Sequence, residues 1–483
     1  MRRGWMLALT LLALAPARAA QAQDPPSGAP INTNRYNVEL FQGPTLAPLR
    51  ITGLGGAYGP YAEGSDGIPA NAAAPAVREP FSVGHFDWDL NFSVSFPGAF
   101  RNTDFNNDGR VGFAYNDYVF YTLGGMIQVG RFAIGVLGDF QRYNLSPNAQ
   151  PTDPRSTLTL GRIHALAGLS FFNNQLNLGA GARGVWLNID STTNSSSQNV
   201  LRMLGAAPEA GVLIKPDYLP WRIGATFRFP VNTPYQQGGS TTYDAQGVQR
   251  AAGLAVPQNV YLPWELQAGF AIQVGPRPLN PKWIDPGEQE DQGAEAVRSA
   301  RAARRIVQQA ELAVISDPAQ RERRAAEFER EEAYLQQEED IRLRKMADQM
   351  AAERRARYWN WPREYILVVA EALVTGATPN AVGLESFLSQ TVERSGQNTT
   401  VTPRLGLEGE PVVGSIKTRI GTYLEPGRYT GSSSRQHFTF GFDIRVFEFK
   451  GYGILAPATY RISGMADLAP RYENFGVSFG AWH

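Results

Sequence analysis

The chain has 483 residues, enough for one large domain or two to three ordinary ones. Its 45 Lys and Arg balance 45 Asp and Glu, so the formal net charge is 0 and no basic surplus points to nucleic acid. Cysteine is absent, which excludes a disulfide framework, while 49 Gly, 25 Phe and 19 Tyr suit many strands and tight turns.

Residues 1–22 have the grammar of a cleaved signal peptide. Arg2 and Arg3 precede a short apolar core from Met6 to Leu14, and Ala17-Arg18-Ala19 and Ala20-Gln21-Ala22 both offer small-residue cleavage sites. The apolar run is too short to cross about 30 Å of hydrocarbon as a helix. No later segment is long and apolar enough to do so, so membrane insertion has to use strands.

The strand signal is alternation. From Phe86 to Phe96 every even position is apolar and every odd one polar, including Asp87 and Asp89. A pleated strand sends the two sets to opposite faces, and this length crosses a bilayer when tilted. The pattern returns at 221–229, 262–274, 438–446 and 475–481. Weaker versions cover 116–129, 131–142, 156–171, 174–190, 200–214, 363–375, 400–408, 413–424 and 453–463. The sum is about fourteen strands, split as 81–284 and 361–483. The connections alternate between long (97–115, 143–155, 190–199, 231–258) and short (Gly130-Arg131, Asn173-Asn174, 215–219), as the external loops and periplasmic turns of an outer-membrane barrel do. A soluble β-sandwich alternates too, but has no reason to alternate loop length. The expected fold is all-β: a transmembrane antiparallel β-barrel of the Gram-negative outer membrane, in contact with its lipid. Polar residues on the lumen side are expected at Asp87, Asp89, Arg222, Arg228, Glu265, Arg419, Asp443 and Arg445. Opposite charges there should pair across strands and lock the barrel.

Between the strands, 285–360 reads differently. From 291 to 357 it is rich in Ala, Glu, Arg and Gln, and Asp317-Pro318 looks like a helix start, with an N-cap and proline at the first helical position. Helices are expected over about 291–315 and 318–357 on the periplasmic side. They are either a solvated spacer or a docking element, through 288–357, for a periplasmic or cell-wall partner.

Residues 23–80 are too many for a simple tail. They contain Leu54-Gly55-Gly56-Ala57-Tyr58, Ala62-Glu63-Gly64-Ser65-Asp66-Gly67-Ile68 and Asn71-Ala72-Ala73-Ala74. This run resembles the opening of the superfamily of the long-chain fatty-acid transporter (FadL) and PorV. Arg404 to Glu408, Thr418 to Tyr423 and His437 to Phe442 look similar as well. The resemblance implies a fourteen-stranded barrel whose N-terminal segment folds into a lumenal hatch, with Gly55, Gly56 and Asn71 as hatch positions. It departs from the family's Asn-Pro-Ala-Gly motif at Ala72, where the family has Pro. In the transporter branch hydrophobic small molecules cross passively. In the PorV branch the barrel is a scaffold for secretion and surface attachment.

Other motifs carry less. Gly179 to Gly184 fits G-x-G-x-x-G but continues as a strand where a nucleotide site needs a helix. Gly476 to Gly480 fits G-x-S-x-G but lacks the strand-to-helix turn and downstream partners of a hydrolase. His85, His164, His437 and His483 have no ligand spacing, so no enzyme and no resident cofactor is expected. Asp104, Asn106 and Asp108, followed by Gly109, match the first half of a calcium loop, with Tyr115 where the bidentate Glu belongs. The alternative is an Asn/Asp turn.

Overall fold

In a computed structural model the described residues run from 26 to 482, apart from 80–81, 83, 101–102, 110–112, 147–154, 194–195, 237–238, 284 and 452–454. The signal-peptide reading lies outside them.

Fourteen strands form a closed barrel. In chain order they are β1 (Phe86–Pro97), β2 (Ala114–Val129), β3 (Phe132–Ser146), β4 (Arg155–Phe171), β5 (Leu176–Thr193), β6 (Ser196–Ile214) and β7 (Trp221–Arg228). They continue as β8 (Glu265–Val274), β9 (Ile366–Thr375), β10 (Thr400–Val412), β11 (Ile416–Glu425), β12 (Arg435–Gly451), β13 (Leu455–Ala469) and β14 (Tyr472–Ala481). Each pairs antiparallel with its neighbours, and β1 closes on β14 with Phe92 opposite Phe479. The expected fourteen strands are all present, and closure leaves no edge whose backbone groups would be stranded in lipid.

The alternating faces separate as expected. Phe438, Phe440 and Phe442 on β12 point outward, while Thr439 between them is fully buried. Phe86, Leu90, Phe92, Leu123, Phe270 and Val477 continue this exposed apolar belt around the wall. In water such a surface would be a severe aggregation liability, whereas in hydrocarbon it costs nothing. The molecule is an outer-membrane barrel.

Tight connections gather at one end, which is the periplasmic end in barrels of this kind. There Phe172, Asn173 and Asn174 take three successive left-handed conformations (φ 53°, 55° and 70°) to turn β4 into β5. At the other end, the Ser/Thr-rich stretch 190–199 is not the long loop expected. β5 and β6 run on to Thr193 and from Ser196, because threonine and other β-formers extend the hairpin beyond the membrane.

The insertion leaves from the tight-turn end as α2 (Pro286–Val314) and α3 (Pro318–Trp359). Asp317 caps α3 by accepting from the Ala319 amide at 3.1 Å. The same Asp-Pro start opens α2, where Asp285 accepts from Gly287 at 2.9 Å. This start lies earlier than expected because Gly287 and Gly293 weaken the local helix signal. The helices join through cross-hairpin ion pairs: Arg301 with Glu339 (2.7 Å) and Asp340 (2.9 Å), and Arg304 with Glu332 (3.1 Å) and Glu339 (2.7 Å). Hydrogen bonds from Arg304 and then Arg301 hold the Glu339 carboxyl down at about 2.

Candidate functional site: a plugged lumen under an outer cap

The N-terminal segment divides in two. Residues 26–40 lie over the outer mouth, where Asn37–Glu39 pairs in parallel with Asn259–Leu262 and with Ala381–Val382. Val231–Pro234 and Arg394–Ser395 complete a five-stranded cap sheet. Only the residues from about 41 onward descend into the lumen, so the hatch is shorter than the whole of 23–80. Glu39, almost fully buried, anchors the cap by accepting from Arg428 and, at 2.7 Å, from Thr378.

The hatch follows the wall through short turns: α1 (Leu49–Gly53) and three single 3₁₀ turns at 59–61, 65–67 and 74–76. It fits because the wall is glycine where the hatch touches it. A Cβ on Gly179 would stand 1.9 Å from the Ala72 carbonyl oxygen, and one on Gly421 would stand 2.3 Å from the Gly55 amide nitrogen. The first glycine of the rejected G-x-G-x-x-G match is thus a packing position. Gly55 and Gly56 sit at φ 64° and 78°, and a Cβ on Gly55 would meet the Thr422 backbone at 2.6 Å.

Asn71 is fully buried and fully bonded. Its Nδ2 donates to the Gly59 and Val212 carbonyls (3.0 and 3.1 Å), and its Oδ1 accepts from Ala73 N–H and Thr226 Oγ1–H (2.9 Å each). The departure at Ala72 has a local reason. Its N–H donates to Thr226 Oγ1 at 3.0 Å, a bond proline cannot make.

Charge holds the rest. Arg50 on the hatch pairs with Glu408 (3.1 Å), Glu408 with Arg419, Arg419 with Asp443 (2.6 Å), Asp443 with Arg461 (2.8 Å), and Arg461 with Asp66 on the hatch (2.7 Å). The chain of pairs leaves the hatch, crosses four strands and returns to it. Asp89 accepts from Ser65 N–H (2.8 Å) and Oγ–H (2.7 Å). Arg222 pairs with hatch residue Glu63. Arg228 approaches Glu209 at 3.3 Å and Glu265 at 3.6 Å, and Glu265 also takes Arg183 at 2.9 Å.

Seven of the eight lumen-side residues expected from the sequence therefore face inward or lie half-buried. Asp87 is half-buried, and its carboxylate accepts from the Trp88 amide at 2.9 Å. Arg445 is the correction. It keeps its register opposite the inward-facing Arg461, and the irregularity follows it, between Arg445 and Phe447, but it lies at the periplasmic rim, where it is exposed over the Trp359 ring instead of enclosed by the lumen. Sequence reasoning assigned no role to hatch and wall partners such as Arg50, Glu63, Asp66, Glu408 and Arg461: Glu63, Asp66 and Glu408 lie within the family-like stretches, but nothing there marks them as ion-pair members.

The hatch leaves the lumen at Arg78, a fully buried side chain that donates to the Gly130 and His85 carbonyls (both 2.8 Å). Lys215 and Asn174 both donate to the Arg78 carbonyl at 2.9 Å, so one residue collects three periplasmic turns. Trp283 lies under the Arg78 guanidinium, Asp285 meets His85 at 3.1 Å, and Glu288 meets Arg131 at 2.6 Å. The base of the helical hairpin thus adjoins the point where the hatch is fastened.

Above the hatch the lumen wall is apolar. Tyr118 and Phe120 on β2, Leu158 and Leu160 on β4, Leu187 on β5 and Met203 on β6 pack with Val38, Leu40, Val260 and Phe387 of the cap. Between this region and the hatch lies a cavity of ≈110 Å³. It is lined by Thr45, Ile51, Ala70 and Leu373 but also by Asp139, Arg162, His164, Arg183, Arg228 and Arg404. The sequence-based uptake reading implies an apolar pocket of ligand size near 50–80. At that level the cavity is small and largely polar.

In the outer loop, the Asp104 carboxylate accepts from the Asp108 and Gly109 amides (3.2 Å each) and Asn106 Oδ1 from Asp108 N–H (3.3 Å). These are the bonds of an Asn/Asp turn. Among the described residues no three acidic or histidine side chains converge as metal ligands.

The cap helix α4 (Leu384–Ser389) carries Glu385, whose carboxylate accepts from Tyr115 Oη–H at 2.6 Å. Burial pushes the Glu385 carboxyl up to about 8, against the hydrogen bond from Tyr115. A raised acid binds its proton more tightly in the folded cap. Its contribution is complete below the ordinary value near 4.5 and is lost as pH rises through about 8. Exchange of amides 376–399, corrected for intrinsic rates, should therefore speed up between pH 6 and pH 9. Glu385→Gln should flatten that change, and an unaltered pH response in this variant would refute the assignment.

No protein-family model and no curated protein matches this chain. Among solved structures it is similar to the TodX monoaromatic hydrocarbon channel in its deltaS2 mutant (10% identity, 90% of this chain, 99% of that one, TM-score 0.47). It is also similar to the CymD monoaromatic hydrocarbon channel (10%, 90% and 96%, TM-score 0.45). An outer-membrane channel from Pseudomonas putida F1 follows (9%, 81% and 94%, TM-score 0.26). These are likenesses of barrel to barrel. The strand number, closure and plug stand on the chain's own register and are consistent with what the FadL/PorV resemblance implies.

Proposed function

We propose that the barrel is a gated, passive channel for small hydrophobic molecules entering from outside. The observation that carries this reading is the apolar outer lumen. A water-filled pore needs a polar wall, whereas Phe120, Leu158, Leu160, Leu187 and Met203 face inward here. The cavity of ≈110 Å³ is below the roughly 300–1,000 Å³ of ligand sites, so the described state is the closed one and passage requires the hatch or cap to yield. The PorV-like alternative draws no support from the comparisons. Intact cells carrying the barrel should take up the apolar dye 1-N-phenylnaphthylamine faster than cells without it. Leu187→Gln should reduce the gain by up to about tenfold, the equivalent of losing one buried leucine. Equal uptake in both cell types would refute the reading, and free ion flow through the unmodified barrel would replace it with a general porin.

A second reading concerns the hairpin, and rests on exposed apolar residues of α2: Ile306 (68%), Val307 (65%) and Val314 (83%). Such residues on an otherwise charged helix suit a docking element for a periplasmic or cell-wall partner. Removing 288–357 should leave a barrel with normal heat-modifiable migration and abolish co-purification of the partner. A truncated barrel that loses no partner would end that reading.

A further inference from the structure

Ion pairs with carboxylates are the rule for the arginines inside this barrel, such as Arg222 with Glu63 and Arg428 with Glu39. The periplasmic rim beside α3 is arranged differently. Arg363, 8% exposed, places its guanidinium 4.7 Å from the Tyr358 ring centre and 5.2 Å from that of Trp359. Its Nη2 is buried without a hydrogen-bond partner. Arg445 reaches the same Trp359 ring from β12, at 5.6 Å, and is exposed. Among the described residues no ion pair joins either arginine to a carboxylate, although Glu364 and Glu448 are close in sequence. Arg445 is solvated, but the buried Arg363 guanidinium, whose Nη1 has only the Tyr358 hydroxyl and whose Nη2 has no partner, is costly without a counter-charge, and an anion joining the two arginines would offset that cost.

The surroundings say which anion. Next to Arg445 the lipid-facing belt ends in Val446 and Phe447, both about half exposed. The Phe447 ring packs on Tyr460 (5.4 Å) and Phe479 (6.3 Å). Aromatic clusters at the border of the apolar belt mark headgroup depth, and Trp359, 47% exposed, joins this one through Arg445, the residue before Val446 and Phe447. The end of α3 adds exposed Arg357 in its last turn and exposed Arg355 just before it. A guanidinium fork matches phosphate oxygens, and its stacking on an indole keeps it oriented.

We propose that Arg445, Trp359 and the underlying Arg363 bind the phosphodiester of an anionic glycerophospholipid in the periplasm-facing leaflet, with its acyl chains lying along Val446 and Phe447. Arg445 touches the phosphate, Trp359 lies at glycerol level, and Arg363 adds the second positive charge from behind the ring. The site is independent of what crosses the lumen.

The test uses the purified full chain in detergent, titrated with phosphatidylglycerol or phosphatidylethanolamine and read by native mass spectrometry. Phosphatidylglycerol should bind about tenfold more tightly, and the double variant Arg363→Gln with Arg445→Gln should bind the two lipids equally. The exposed hairpin variant Arg298→Gln should keep the preference. Should the double variant not fold, Arg445→Gln alone, on the exposed side, serves the same comparison. Equal binding of both lipids to the unmodified chain, or an undiminished preference in the arginine variants, overturns the proposal. Full displacement of phosphatidylglycerol by millimolar inorganic phosphate also overturns it, by reducing the site to a free-phosphate one.

Discussion

Replacing Arg419 with methionine should lower the unfolding free energy of the barrel by about 3–5 kcal/mol, the usual cost of removing one partner from a buried ion pair. Arg419 donates to Glu408 and, through both ends of its fork, to Asp443 at 2.8 and 2.6 Å. Both carboxylates are almost fully buried. Without the guanidinium, Glu408 keeps Arg50 and Tyr365, and Asp443 keeps Arg461, but two negative charges face each other with nothing between them. Because the relay begins at Arg50 and ends at Asp66, amides 49–67 of the hatch should lose protection along with the wall. Arg419→Lys keeps a charge but not the fork, so it should fall between. Urea titration in lipid vesicles gives the magnitude, and a loss below about 1 kcal/mol would mean that the pairs are solvated like surface ones.

The second large effect comes from a change that adds atoms. Valine at position 179 would put a branched side chain where the Ala72 carbonyl oxygen lies 1.9 Å and the Ala73 Cα 2.7 Å from a Cβ. Both are backbone atoms, so the hatch itself has to move. Overpacking of this kind costs about 1–3 kcal/mol and often more when backbone is displaced. The wall is hydrogen-bonded on both sides of Gly179 and keeps its register, so Gly179→Val should yield a folded barrel with an unseated hatch. In planar bilayers its conductance should rise well above that of the unmodified barrel. Gly184→Val is the control, since a Cβ there meets nothing nearer than the Ile163 carbonyl oxygen at 3.9 Å. Equal conductance of all three proteins would mean that the hatch does not seal the lumen.

What the sequence made legible follows a simple line. Period-two patterning and loop length are local, and they specified the strands, the count of fourteen and the end from which the hairpin leaves. Arg445 escaped because parity counting gives the face of a residue and not its depth: it stands opposite inward-facing Arg461, yet at the rim, where it is exposed. The short hairpin at 193–196 was hidden because Ser and Thr favour both loops and exposed strands. The hatch partners escaped for a deeper reason. Arg50 and Glu408, or Ala72 and Gly179, are brought together only by closure of the barrel, and one sequence carries no trace of that pairing. The cap was illegible for the same reason, being assembled from 37–39, 231–234, 259–262, 381–382 and 394–395.

The absence of cysteine allows single spin labels to be placed one at a time at 438–442. In lipid vesicles, accessibility to oxygen should be high at 438, 440 and 442 and lower at 439 and 441, with 438, 440 and 442 shielded from a water-soluble nickel reagent. Collisions with nickel at 438, 440 or 442 would place water on the face assigned to lipid, and a flat oxygen profile across the five positions would remove the lipid-facing wall altogether.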